Sequence, residues 1–501
     1  MTDCMKLLPR HRLVLAACIF LVTLSLSLFS NAYNRQLGQM EGMAEEYFDL
    51  GIFLTLTHGF PLIENTPFVF RPPGYSFFIA SVLTMWGGLS DDEARLRKSN
   101  DRELEIDIKD AVVVVLIAQC LLLSFSSVFL FLWLSSFLSL PVAMSFALAF
   151  GCNPYTIILT GLLHYGLLHI FFIIIASYAL SHAVTRPKPV GLHLFFAGAL
   201  WGLSALVRPV VLILPAFAFF IFLYRLWPSW MSIAKATIVF TVGMTIVITP
   251  YTLRNYVLTQ RFIPVNAQAG AVFWGATAVQ SDRDPNHFRW WNIWRSGGRQ
   301  ILHKITNNSR YIYTDYIAHN LELEDEFAKQ AIQNLSRQPN VFAYNFVQNV
   351  LTFNIDINSV FIKVFQFIQD PSKKIDKQWF EAGNPQEFHS SASANAFSGF
   401  TYLLTVLSAV GVGLALRKRD PALLVPGCVY MCLCIAHAIT VMDLMHYYIK
   451  IPFLFVFAAY FVNAMSSTFI HVPGSERRIS LASILNGVVI VLGAGLSIAV
   501  L

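Results

Sequence analysis

Residues 111–134 read AVVVVLIAQCLLLSFSSVFLFLWL, 24 residues without a charge. As a helix, at about 1.5 Å per residue, that run is about 36 Å long, enough to cross the roughly 30 Å hydrocarbon core of a bilayer. Working outward, the span is set at 110–134, and further apolar runs fall at 11–30, 139–157, 163–183, 191–207, 209–226, 233–252, 396–416, 421–441, 447–466 and 480–500. The composition agrees. Of 501 residues 56% are hydrophobic, 14% aromatic and 13% charged, and the mean hydropathy is +0.57. Soluble domains carry about 25% charged residues, so a set of water-soluble domains is excluded. The chain is predicted to be an all-α polytopic membrane protein. Its first run follows Arg10 and Arg12 and is followed by only a weak small-residue site at 30–32, so it is expected to stay as an anchor rather than be cleaved.

The net charge of +6 does not point to nucleic acid, because the basic residues mark short loops between apolar runs. With Lys6, Arg10 and Arg12 cytoplasmic, Arg186 and Lys188, Arg225 and Lys235, Arg417 to Arg419, and Arg477 with Arg478 all fall on the same side. Two long polar segments, 31–109 and 253–395, then lie outside. The expected organisation is a membrane module over 1–252 carrying a functional first outer loop (31–109), an outer segment over 253–395, and C-terminal spans over 396–501. Seven cysteines (4, 18, 120, 152, 428, 432 and 434) lie in or beside apolar runs, which speaks against a disulfide framework or a cysteine-held zinc. From Ala111 to Ser281 there is no Asp or Glu. Carboxylate chemistry must therefore come from the first outer loop, the large outer segment or the few acids beyond.

The first outer loop reads MEGMAEEYFDLGIFLTLTHGFPLIENTPFVFRPP over 40–73, then GYSFFIASVLTMWGG. Phe48, Ile52, Leu54 and Leu56 suit an amphipathic helix along the membrane interface, ended by Gly59 and Pro61. The stretch 75–86 is short for a span and is expected as an interfacial or re-entrant helix. Glu41, Glu45, Glu46 and Asp49 sit at the start of the first of these helices. There they either serve the helix N-terminus, where negative charge is favoured, or supply a general base at the bilayer surface. Arg71, followed by the rigid Pro72-Pro73, has the planar fork that suits phosphate oxygens.

These elements resemble the GT-C superfamily of membrane glycosyltransferases, in particular the protein mannosyltransferases and the bacterial aminoarabinose transferases. The likeness is carried by the acidic cluster before YFDLG (47–51), HGF (58–60) and RPPGY (71–75). It extends to GALWGLSALVRP (198–209), to TPYTLRNY (249–256) running on to FIPV (262–265) and Trp274-Gly275, and to His446-Tyr447 ahead of Pro452. The resemblance implies a GT-C-like bundle with a mainly helical outer segment capping the cavity. It also implies an inverting enzyme that takes a sugar from a polyprenyl-phosphate donor at the outer membrane face and passes it to a glycan, lipid or protein acceptor. It implies a catalytic carboxylate from Glu41, Glu45 or Glu46, since Met43 stands where the family has its Asp. Donor phosphate would meet Arg71, Arg208, Arg254, His446 and Lys450, and the cavity would include Tyr47, Asp49, Tyr75, His164 and Tyr447. His164-Tyr165 replaces an acid that the family often carries between spans three and four, so the chemistry is expected to be metal-independent and without a cofactor.

In the outer segment, LELEDEFAKQAIQNLSR (321–337) is amphipathic, acidic early and basic late, and Pro339 should stop it. A second helical stretch is expected over 341–368. Two other function classes remain in view. A flippase or transporter of lipid-linked sugars would favour internal repeats, which the chain lacks. A polymerase or ligase of lipid-linked saccharides would lack the first-loop acid followed by Arg-Pro-Pro.

Overall fold

The structure is a computed structural model that describes residues 10–33, 43–60, 62–63, 66–87, 109–186, 191–278, 320–355, 392–418, 420–440, 448–465, 469–471, 478–480 and 487. The helices are α1 (Arg10–Tyr33), α2 (Met43–Thr57), α3 (Gly74–Trp86), α4 (Lys109–Leu134), α5 (Leu140–Gly151), α6 (Pro154–Thr160), α7 (Gly166–Thr185) and α8 (Gly191–Val207). They continue as α9 (Leu214–Leu226), α10 (Trp230–Thr259), α11 (Ala269–Thr277), α12 (Asn320–Arg337), α13 (Pro339–Ile355), α14 (Ala392–Lys418), α15 (Leu424–Ala438) and α16 (Ile451–Ala464). Two antiparallel ribbons are small: Leu62–Ile63 with Thr66–Pro67, and Phe469–His471 with Arg478–Ser480. Among the described residues, seven helices are long and apolar enough to cross a bilayer, and a bent pair makes an eighth. The chain is a multi-pass membrane protein. The six described cysteines are free.

The expected spans map onto these helices with physical adjustments. The run 139–157 is two helices, α5 and α6, bent by 49°. Its break is written in Asn153-Pro154, where the Asn153 side chain accepts from the Tyr155 amide at 2.9 Å and proline takes the first helical position. The run 163–183 starts as a helix only at Gly166, which leaves His164 and Tyr165 in the preceding turn. The run 209–226 opens with a 3-10 turn over Pro209–Ile213. The run 233–252 carries on through Pro250 to Thr259, where Gln260 ends it at φ 55°. The run 480–500 lies outside the described residues, apart from Ser480 and Gly487. In 253–395, α12 stops before Pro339 as expected, and that proline begins α13.

Close packing fixes the bundle. A Cβ at Gly198 of α8 would sit 2.0 Å from the Phe240 carbonyl oxygen of α10, so the two backbones touch there and only glycine fits. Polar side chains join the spans where lipid offers no partner: Asn31 of α1 exchanges hydrogen bonds with Thr160 at 3.3 and 3.1 Å. The helix ends sort into two sets. Arg225 at the end of α9 donates to the Val184 carbonyl near the end of α7 at 3.1 Å, next to Arg186. The opposite end of α7 carries His164 and Tyr165, beside Arg208 at the end of α8. The first-loop helix α2 is more enclosed than an interfacial helix need be, with Tyr47, Phe48, Leu50, Ile52 and Leu54 all buried and Asp49 exposed.

Candidate functional site: two arginines around Tyr47

The loop that leads into Arg71 is held along its backbone. Arg254 donates to the Phe68 carbonyl at 2.9 Å, the Ala267 amide to the Val69 carbonyl at 2.9 Å, and the Asn266 side chain to the Phe70 carbonyl at 3.0 Å. Three successive carbonyls are thus satisfied by the end of α10 and the stretch that follows it. That stretch is fixed in turn by Asn255, whose amide donates to the Ile263 and Val265 carbonyls. On the other side of Arg71 the turn is pressed onto α8. A Cβ at Gly74 would lie 2.8 Å from the Leu206 carbonyl carbon and from the Val207 nitrogen, so glycine is needed for this approach. The contact brings Arg71-Pro72-Pro73-Gly74 against the residue that precedes Arg208.

Arg71 is buried, with its guanidinium 4.5 Å from the Phe70 ring centre and 5.9 Å from that of Tyr47. Arg208 stacks on Tyr165 at 4.8 Å, donates to the Tyr165 hydroxyl and is hydrogen-bonded to Tyr448. Tyr47 links the two arginines through rings: it lies beside Arg71, and its ring is 5.5 Å from Tyr165, on which Arg208 stacks, and 5.7 Å from Tyr75. The Tyr75 hydroxyl donates to Gln119 at 2.7 Å, and the Gln119 amide donates to the Thr160 and Leu162 carbonyls. This ties the aromatic cluster to the bend after α6. His164 lies 4.0 Å from Tyr165 and 5.7 Å from Tyr448, ring to ring. A cluster of guanidinium groups faced by phenols and aromatic faces in a low-dielectric setting favours an anionic ligand group.

Of the expected site residues, Arg71, Arg208, Tyr47, Tyr75 and His164 come together here. Asp49 lies on the same helix as Tyr47 but is exposed. Glu45 and Glu46 belong to the first turns of α2, with side chains outside the described set, and Glu41, His446 and Tyr447 lie outside it altogether. Arg254 meets backbone and rings: besides the Phe68 carbonyl it stacks on Phe60 at 4.8 Å and Tyr251 at 5.3 Å. Lys450 is buried and donates to the Phe353 carbonyl in the last turn of α13. Sequence reasoning did not single out Gln119, His169, Asn266, Glu324 or Tyr448. Glu324 accepts from the Gly270 amide at 2.6 Å and the Ala271 amide at 3.4 Å, capping α11 from another helix. Burial, with Asp325 beside it, pushes its carboxyl up to about 7 against the pull of those amide bonds. Among the described residues no group of three or more His, Cys, Asp or Glu is placed to hold a metal.

Fold and site together define the class: a multi-pass helical membrane bundle with an arginine-rich aromatic cluster at one end. No family model and no curated protein sequence matches the chain. Among solved structures, the oligosaccharyltransferase of Archaeoglobus fulgidus in its apo form aligns at TM-score 0.52, with 11% identity over 98% of this chain and 56% of that one. The same enzyme in complex with zinc and sulfate aligns at 0.50, with 11% identity over 96% and 52%. ArnT from Cupriavidus metallidurans bound to undecaprenyl phosphate aligns at 0.36, with 13% identity over 91% and 78%. The chain spans about half the length of the archaeal enzyme it matches.

Proposed function

We propose that the chain is an inverting glycosyltransferase that moves a sugar from a polyprenyl-phosphate donor to an acceptor outside the cytoplasmic membrane. The observation that carries this is the pair of guanidinium groups beside Tyr47, the buried Arg71 and the half-buried Arg208. In such a site, charge gathers on the phosphate oxygen as the bond to the sugar breaks, and preplaced guanidinium donors stabilise it where water would otherwise compete. A carboxylate of the first outer loop, Glu41, Glu45 or Glu46, takes the proton of the attacking hydroxyl. Arg254 and Asn266 hold the backbone that presents Arg71.

The same reading puts the arginine end of the bundle outside and the Arg186 and Arg225 end in the cytoplasm, following the positive-inside rule. It makes 253–395 the cap over the cavity, 1–252 and 396–501 the membrane parts, and the acceptor a glycan, lipid or protein. The reaction is proposed to run without a metal, because the spans from Ala111 to Ser281 carry no carboxylate. The test is purified chain in proteoliposomes with synthetic polyprenyl-phosphate sugars, with and without EDTA. Arg71→Ala and one of Glu41→Ala, Glu45→Ala or Glu46→Ala should abolish transfer. Full activity in all four variants overturns the proposal, and loss of transfer with EDTA overturns its metal-free part.

A further inference from the structure

Two imidazoles behind Tyr165 carry a hydrogen-bonding capacity that the described residues leave unused. His164 receives the Gly166 amide hydrogen on Nδ1 at 3.0 Å. A neutral ring that accepts at Nδ1 carries its proton at Nε2, and that nitrogen is buried with no hydrogen-bond partner among the described residues. His169, one turn into α7 and fully buried, has Nδ1 3.2 Å from the Tyr448 hydroxyl. The Tyr448 oxygen is also hydrogen-bonded to Arg208, and a guanidinium can only donate. With the phenol hydrogen on His169 Nδ1, the arrangement that uses the donor of Tyr448 and the acceptor of the ring together, His169 too is left with an Nε2–H that has no partner among the described residues.

A buried donor without a partner costs about 1–3 kcal/mol in the empty protein, and here two occur five positions apart beside the same arginine. The segment that carries both rings is of one sign, and the acids proposed for the site come from the first outer loop. The N-terminus of the 20-residue helix α7 contributes the positive end of its dipole. Both histidines and Arg208 belong to the stretch from Ala111 to Ser281, which contains no acid. We propose that His164 and His169 form a donor-only subsite, beside Arg208, for an oxyanion of the substrate, either a phosphoryl oxygen or a sugar carboxylate. A protonated amino sugar, which offers donors only, finds no partner on these two rings. The inference rests on the donor reading above for where the substrate lies. The unused donors are properties of this chain.

The test uses the full chain in detergent with undecaprenyl monophosphate, inorganic phosphate and glucuronate as probes, read as the shift in unfolding temperature over a concentration series. His164→Phe and His169→Phe should each weaken binding about tenfold to a hundredfold, as loss of a hydrogen bond to a charged group does. His169→Gln, with an amide nitrogen near the place of Nε2, should restore most of it. Weakening for both phosphates assigns the subsite to the phosphoryl group, and weakening for glucuronate alone assigns it to a carboxylate. Unchanged affinities in both Phe variants, with Arg71→Ala abolishing binding, overturn this inference and leave the donor reading intact. A wild-type chain that binds none of the three overturns both. Ring nitrogen-15 spectra of the wild type need no variant: both imidazoles should carry the Nε2 proton and shift when the bound probe is added. Rings protonated at Nδ1, or no shift, refute the assignment.

Discussion

Gly74→Ala tests how the two arginines are held together, because the side chain it adds is a single methyl. The new Cβ would stand 2.8 Å from the Leu206 carbonyl carbon, 2.8 Å from the Val207 nitrogen and 2.9 Å from the Leu206 oxygen. Relaxed carbon contacts lie at about 3.5–4.0 Å, and all three neighbours are backbone at the end of α8, which cannot swing aside as a flexible side chain would. The turn must therefore retreat by about 0.7 Å or more, and overpacking of this kind costs about 1–3 kcal/mol. Arg71 is three residues from the contact and Arg208 one residue beyond it, so the strain opens the distance between them. A misplacement near 1 Å can cost about a hundredfold in rate. We expect transfer from a polyprenyl-phosphate sugar to fall about tenfold to a hundredfold in kcat/KM, with weaker binding of undecaprenyl monophosphate. Gly413→Ala, on α14 with nothing within 4 Å of the added Cβ, is the matched control and should be neutral or slightly stabilising. Wild-type transfer and affinity in Gly74→Ala would show that contact between the two Arg-Pro turns does not set the site.

Three further outcomes follow from the same geometry. Arg254→Met removes the donor to the Phe68 carbonyl, and leaving a carbonyl unsatisfied costs about 1–3 kcal/mol. Donor affinity should fall while Arg71 itself is intact, and titration of the lipid phosphate against this variant checks it. Glu324, held at about 7 in the folded chain against 4.5 when unfolded, keeps its proton more tightly when folded. Its contribution to stability is therefore greatest below about pH 4.5 and is lost as pH rises through 7, by at most about 3 kcal/mol. Glu324→Gln should flatten the fall in Tm between about pH 5 and 8, and an unchanged slope refutes the assignment. Gly151→Val drives a side chain into Thr23 Oγ1 and Ser127 Oγ, 2.4 and 2.5 Å from the added Cβ, and should lower the yield of folded protein in detergent, seen by size-exclusion chromatography.

The spans were legible because a bilayer imposes a length and a polarity on any helix that crosses it, and residues 111–134 meet both without help from neighbours. The broken helix at Asn153-Pro154 was also written locally, as a capping residue followed by proline, but the surrounding apolar run hides it when length alone is counted. Arg71 could be singled out because the rigid Pro72-Pro73 follows it. Lys450 could not be placed: its partner is the Phe353 carbonyl, 97 positions away, and no local pattern announces a backbone acceptor. Glu324 misled in a similar way. Its position early in an amphipathic helix fits the dipole of that helix, whereas the amides it caps belong to α11, 54 positions earlier.

The three arginines at this end of the bundle show why residue type and membrane depth leave function open. Each sits where a phosphate-binding group is expected, and each is placed against aromatic rings. Arg254 is used on the protein itself: one nitrogen serves the Phe68 carbonyl and the Asn255 side chain at 2.9 and 3.0 Å, and its charge rests on Phe60 and Tyr251. Arg208 is bonded to phenol oxygens, which are neutral acceptors and leave its charge uncancelled by those bonds. Arg71 is carried on a backbone whose preceding carbonyls are already satisfied by Arg254, Ala267 and Asn266. Preorganisation of this kind is what lets a guanidinium meet developing charge without reorganising at the moment of reaction. The division of labour therefore follows from the acceptors each arginine meets, so Arg254→Lys should impair the site through the Arg71 backbone even though the charge is kept.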